Sequence, residues 1–317
     1  MTAQGMPAQA APATAAAPVE TGSIYDLGYR RYEGPRLGRA HAIRSLFVHS
    51  FRSTWGIGRG SRAKVAPFTL AFLATIPALA ILAAQALLRQ FPGGEGFSNQ
   101  LPVRYETYAS TIGVFVVLFC AAQAPDLFGR DQRHKLLSLY FSRALRRTDY
   151  TLARMAGFML AVFLLQLFPQ VLLFAGQVLL STDVATGFLD QAPELAKAAA
   201  QAALTAGLLG GLAMTVAAFT PRRAYAVAGI IALFVIPTIV TGIVVGLGSE
   251  DLGRWLILLS PSSVLQGTNS FLFDVPIASD SGGLVPYIPD WVYLVVALGG
   301  IVGSVVVSMR RFRGLTV

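Results

Sequence analysis

The densest group of chemically capable side chains lies in RDQRHKLLSLYFSR, residues 130–143. Arg130, Asp131, Arg133 and His134 put charge beside Leu136, Leu137, Leu139, Tyr140 and Phe141. A short helix carrying both offers charge-assisted hydrogen bonds next to an apolar knob, the chemistry of docking into a groove on another protein. The competing reading is that the run packs on the protein's own helices. Catalysis is not suggested. No serine pairs with a histidine and an acid, and no G-x-x-x-x-G-K-[ST] phosphate loop is present. Lys64, Lys135 and Lys197, the lysines of the chain, follow no such loop. His41, His49, His134 and Cys120 show no metal-ligand spacing.

A second set is neutral. Gln166, Gln170 and Gln177 recur at helical offsets, which puts them on one face with Phe163 and Phe174. Two readings are open. The face makes interhelical hydrogen bonds, worth about 0.6–2 kcal/mol each in a bilayer. Or it lines a mildly polar, aromatic-flanked path for a substrate.

These residues need elements to hold them, and composition says of what kind. The 317-residue chain is 54% hydrophobic and 13% charged, with a mean hydropathy of +0.59. A soluble domain carries about 25% charged residues, so lipid is the main solvent. Apolar stretches at 65–88, 107–124, 155–180, 198–219, 224–247 and 292–309 are each near the ~20 residues that a helix needs to cross hydrocarbon. Pro77, Pro169 and Pro237 lie inside three of them, which a membrane helix tolerates. No stretch contains Asp, Glu, Lys, Arg or His. A proton-coupled carrier is therefore disfavoured; sodium coupling through backbone carbonyls stays open. Cys120, the single cysteine, reads as a small buried hydrophobe and permits no intrachain disulfide.

The net charge of +9 reports orientation. Of the 25 Lys and Arg, all but Arg89, Arg104, Lys197 and Arg254 fall in segments that the crossings place on one side. These are the region before the first stretch, the loop 125–154, the turn with Arg222 and Arg223, and the C-terminal RRFR. The positive-inside rule puts that side, with both termini, in the cytosol. The opening YDLGYRRYEGPRLGR, 25–39, then lies beside anionic headgroups, each arginine contributing about 1 kcal/mol. No nucleic-acid fold accompanies it, so nucleic acid is not an expected partner.

The expected organisation follows. Residues 1–22 are a disordered Ala/Pro-rich tail without signal-peptide features. Residues 23–64 are a cytosolic segment whose 36–55 stretch is an amphipathic helix, with Ile43, Phe47, Phe51 and Trp55 on one face and Arg39, His41, His49, Arg52 and Ser53 on the other. GIGRG, 56–60, reads as a flexible hinge. Residues 65–317 form a six-helix transmembrane domain with an outer loop at 248–290. Within that loop WLILLSPSSVL, 255–265, is too short to cross and is interrupted by Pro261, so it reads as a re-entrant or interfacial outer segment. The fold class is an all-α membrane protein.

The RDQRHKLLSLYFSRALRRTDYTLAR loop, the basic helix before the first span, LLSPSSVL and RRFRG together resemble membrane subunits (permeases) of ABC transporters of the ABC-2 type. The resemblance covers nearly the whole chain after the tail. Such permeases carry a leucine-rich stretch, Ser-Arg-Pro, then a tyrosine and a basic residue. Here these are 136–139, Ser142-Arg143-Ala144, Tyr150 and Arg154, with Ala144 in place of proline. The resemblance implies a bacterial plasma-membrane protein and pairing with a second copy or homologue. It implies a separate ATPase subunit that holds ATP and magnesium, this chain holding no cofactor. Residues 130–141 would be the coupling helix. Asp131, Arg133, His134 and Leu137 would touch the ATPase, with Arg130 and Tyr140 nearby and Arg30, Arg31 and Glu33 as a second contact. The expected activity is ATP-driven export of an amphipathic or lipid-like cargo past Gln166, Gln170, Gln177, Phe163 and Phe174. The alternatives are a non-transport scaffold or maturation factor working with an ATPase, and an ion-coupled carrier.

Overall fold

The computed structural model describes residues 34, 37–91, 105–142, 145–247, 250–275 and 288–314. Every regular element among them is a helix: α1 (Gly38–Thr54), α2 (Ser61–Leu88), α3 (Tyr105–Arg133), α4 (Leu137–Phe141), α5 (Arg147–Leu180), α6 (Val184–Phe219), α7 (Arg223–Gly246), α8 (Glu250–Leu259), α9 (Pro261–Phe273) and α10 (Asp290–Arg313). Six of these, α2, α3, α5, α6, α7 and α10, are long and apolar enough to cross a membrane, as expected of a multi-pass membrane protein. The tail 1–22, Arg30, Arg31, Glu33, Arg143, Ala144 and residues 276–287 of the outer loop lie outside the described residues.

Three helices run well past their apolar stretches. Pro125 and the charges after it read as a loop, yet α3 continues to Arg133, because a proline in a packed helix sacrifices only one backbone hydrogen bond. The helix then closes on a Schellman motif. Lys135 adopts φ 52°, Lys135 N–H donates to the Gln132 carbonyl at 3.3 Å, and Leu136 N–H donates to that of Asp131 at 3.0 Å. A lysine where glycine is usual hid this stop from sequence. At the other side of the loop α5 starts at Arg147, its first turn capped by Asp149, whose carboxylate accepts the Arg146 N–H at 3.1 Å. The loop 125–154 therefore shrinks to residues 134–146. In the same way Asp183 caps α6 and starts it at Val184, ahead of the charged Asp190, Glu194 and Lys197.

The bundle has an inner and an outer set. The most apolar windows of α6 and α3 are 67% and 61% buried, against 17% for α7 and 22% each for α2 and α10. Small residues bring α6 and α10 together. A Cβ on Gly211 would sit 2.3 Å from Ser304 Oγ, one on Gly207 2.7 Å from Ile301, and one on Gly300 2.6 Å from Leu208. Thr215 extends the seam, its Oγ1 3.0 Å from Ser308 Oγ. Close backbones of this kind supply the van der Waals and hydrogen-bond contact that holds helices together where lipid removes the hydrophobic drive.

α1 lies along α5. Arg39 forks onto Asp149 at 2.7 and 2.6 Å, and further along Gly157 leaves room for Ser50, a Cβ there meeting Ser50 Cβ at 2.8 Å. The buried side carries Leu46, Ser50, Ser53 and Thr54, so Ser53 belongs to the packed face and not to the polar one. The GIGRG stretch forms a closed turn. Gly56, at φ 68°, would place a Cβ 2.5 Å from the Ala63 carbonyl oxygen, and Ile57 N–H donates to the Arg52 carbonyl at 2.8 Å.

The stretch before the last long helix is a pair of short helices that folds back along the bundle. α8 runs antiparallel to α7: Gly253 meets Val245, Thr241 Oγ1 donates to the Leu256 carbonyl at 3.1 Å, and Thr238 Oγ1 lies 2.9 Å from Ser260 Oγ. The chain breaks at fully buried Ser260, whose hydroxyl accepts from Ser263 N–H, with Pro261 opening α9. α9 returns along α10, where Gly267 faces the Tyr293 ring and Ser270 Oγ reaches Asp290 at 3.5 Å. Neither α8, with 10 residues, nor α9, with 13, is long enough to cross alone.

Candidate functional site

The four basic segments converge at one end of the bundle. Arg147 donates to the Arg313 carbonyl at 2.8 Å, joining the start of α5 to the end of α10. Gln132 Nε2 donates to the Ala218 carbonyl at 3.0 Å, joining α3 to the end of α6. Asp126 pairs with Arg59 at 3.4 Å and Arg223 at 3.7 Å, joining α3 to the turn after α1 and to the start of α7.

At the centre of this end is a buried charged knot. Arg154 NH2 donates to Asp131 Oδ2 at 2.5 Å, with both side chains at most 4% exposed. The Tyr150 hydroxyl donates to the same oxygen at 2.6 Å, and Arg154 NH2 also reaches the Tyr140 hydroxyl at 3.1 Å. Aromatic rings enclose the charges. Tyr150 is fully buried and touches Phe128, Tyr140, Phe141 and Phe312, with centroids 5.3–6.0 Å apart. The Arg154 guanidinium lies 5.7 Å from both tyrosine rings. Two charges in a dry site are tolerated only because each is paired and hydrogen-bonded. Four elements meet here: α3 through Asp131, the loop helix α4 through Tyr140, α5 through Tyr150 and Arg154, and α10 through Phe312.

The expected docking residues thus divide. Asp131 is inside the knot and Leu137 is 7% exposed within the core, so neither faces a partner in this structure. At 3.6 residues per turn, Leu137 falls on the inner side of α4 and Leu139 on the outer. Leu139 is 64% exposed, beside exposed Arg133 and His134 and half-buried Tyr140. Arg130 is exposed on a different side, toward α1. Tyr150 and Arg154, which the family resemblance singled out, are the residues that hold Asp131. Their spacing of four on α5 was the available signal, but their carboxylate partner is 19 and 23 residues away.

The glutamines are tied between helices. Gln166 Nε2 donates to Gln201 Oε1 of α6 at 3.0 Å and Gln170 Nε2 to the same oxygen at 3.4 Å, with all three at most 3% exposed. Gln177 Nε2 donates to Gln85 Oε1 of α2 at 2.8 Å. Gln166 and Gln170 therefore line no open path within this chain. Phe163 is half-buried against the core and Phe174 packs edge-on to Phe188 at 5.5 Å. Sequence reasoning missed Gln201 and Gln85, because pairing needs the other helix's register.

Two groups lining the groove between α1 and α3 are shifted in their titration. Burial, and next the positive charge of Arg154, hold the His49 imidazole below its usual pKa; Asp131 opposes them. Burial, followed by the nearby Arg130, lowers that of Arg59. Among the described residues no three His, Cys, Asp or Glu come close enough to hold a metal. The knot links four elements, and the basic end attracts anions. No protein-family model matches the chain, and no curated protein matches it either.

Proposed function

We propose that this chain is the transmembrane subunit of an ATP-driven transporter of the ABC-2 type, exporting an amphipathic or lipid-like cargo, with a separate ATPase docked on its basic end in the cytosol. The observation that carries this reading is the loop helix α4. It exposes Leu139, a few residues after exposed Arg133 and His134, while Tyr140 on the same helix joins the knot that fastens α3 to α5. A push on such a peg passes to two apolar helices through short, buried, charge-assisted bonds. Because Gln166, Gln170 and Gln201 are buried and bonded to one another, the proposal takes the cargo along the outer face of the bundle, against a second copy or homologue. That same cluster favours a second reading, in which the chain is a scaffold working with an ATPase and carries no cargo.

The test is purification of the full chain from its native membrane, followed by identification of stoichiometric partners. The proposal expects an ATPase subunit with a phosphate-binding loop. It expects Arg133→Glu with Leu139→Asp to release that subunit while the melting temperature of the chain holds. Retention of the ATPase by this double variant, or nucleotide bound by the chain alone, contradicts the docking assignment.

A further inference from the structure

A groove of about 720 Å³ runs between α1, the turn after it and the end of α3. Arg44 and Arg52 line it from α1, Arg59 from the turn and Arg130 from α3. Arg59 and Arg130 also form the wall of a second concavity of about 730 Å³, which adds Arg62 and Arg223. Asp126 is the one carboxylate in either lining, and it is engaged by Arg59 and Arg223. Among the described residues no carboxylate pairs with Arg44, Arg52 or Arg130. Arg59 is also held in place. Arg59 NH2 donates to buried Ser53 Oγ at 2.5 Å, and the closed turn fixes its backbone. Burial, and next the repulsion of Arg130, holds the Arg59 pKa below its usual value, and a bound anion relieves that repulsion.

The groove has a second character along one edge. Val48 and Ile57 line it and are 42% and 40% exposed. Two residues before Ile57, the Trp55 ring packs tilted against Phe68 at 5.7 Å, and Phe68 is 51% exposed in the first turns of the span-capable α2. A soluble acidic protein has no use for such an edge; a molecule with an anionic head and a hydrocarbon body uses both halves. We propose that this groove is a phosphate-binding site, and that its source is an anionic lipid headgroup whose hydrocarbon lies along Ile57, Trp55 and Phe68. Guanidinium forks match phosphate oxygens in pairs, which a lysine ammonium does not. The site does not depend on a docked ATPase.

The full chain is titrated with phosphatidylglycerol, with phosphatidylcholine and, in a parallel arm, with inorganic phosphate, and bound molecules are read by native mass spectrometry. Phosphatidylglycerol is expected to outlast phosphatidylcholine. Arg52→Gln with Arg130→Gln is expected to weaken it about ten-fold or more, the scale set by removing two cations from an anionic lipid. The exposed C-terminal pair Arg310→Gln with Arg313→Gln is expected to leave it unchanged. Inorganic phosphate that binds with the same arginine dependence keeps the site and makes a free anion its source. An equal loss in both pairs overturns the proposal, since it reports diffuse charge. No loss in the groove pair overturns it too, as does loss of a protein partner with lipid binding intact. If the groove pair lowers the melting temperature, Arg44→Gln is read in the same way.

Discussion

Helix α5 carries two buried polar clusters that solve one problem differently. Near its start, Arg154 and Tyr150 share Asp131 inside an aromatic shell. Twelve residues on, about 18 Å along the axis, Gln166 and Gln170 share the one carbonyl oxygen of Gln201. The first is charged and gathers four elements, one of them a short loop helix. The second is neutral and joins two long helices. Gln166 Oε1, Gln170 Oε1 and Thr205 Oγ1 have no partner in the neutral cluster. The neutral cluster is half-satisfied glue whose members can be exchanged for apolar residues. The charged cluster cannot lose one member without stranding another, so any displacement of the loop must be followed by α3 and α5.

The largest expected effect breaks the charged cluster. Arg154→Met leaves Asp131 buried and short of its counter-charge, a loss of about 3–5 kcal/mol. Thermal unfolding in detergent should show it as a clear fall in melting temperature. Asp131→Leu combined with Arg154→Met should recover much of that loss, because no unpaired charge is left. Two single losses that simply add would mean that the pair is not coupled.

The neutral cluster should respond less. Gln166→Leu removes one interhelical contact, worth about 0.6–2 kcal/mol, and Gln201 keeps Gln170 as a donor. Gln166→Leu, Gln170→Leu and Gln201→Leu together should be close to neutral, since no glutamine is then left unpaired. A collapse of the triple variant on the scale of Arg154→Met would erase the distinction between the clusters.

The smallest effect is a pH dependence at the edge of the charged cluster. His49 faces Arg154 from α5, Asp131 from α3, and Arg59 and Arg52 from its own side. Its folded pKa lies below the unfolded value of about 6.5. As pH falls through about 6.5, the unfolded chain takes up a proton that the folded chain refuses, so stability declines. The decline stops growing once pH passes below the folded pKa. His49→Gln should flatten the melting temperature over this window; an unchanged slope would assign the dependence to another group.

Much of this architecture was legible in the sequence, for physical reasons. Hydropathy locates six long helices because lipid demands about 20 apolar residues from each. Sorting arginines by loop places four segments together, and the contacts from Arg147 to Arg313 and from Gln132 to Ala218 put them at one end. Pro261 marks the break between α8 and α9. Helix ends were less legible. Pro125 looked like a stop and is not one, whereas Lys135 is the stop and looked like a charge. Partners across the bundle were illegible. Nothing local says that Asp131 is claimed by Tyr150 and Arg154, or that Gln201 receives both glutamines, since these depend on the register of helices joined far along the chain. The burial of Asp131 and Leu137 was illegible for the same reason.

The claim that the charged knot fastens the loop to the bundle is tested most directly by hydrogen–deuterium exchange of the full chain with and without Arg154→Met. The account predicts faster exchange across residues 134–146, which Tyr140 no longer anchors, and unchanged protection around Gln166 and Gln201. Unchanged exchange in the loop, or a rise spread evenly over all helices, would contradict it.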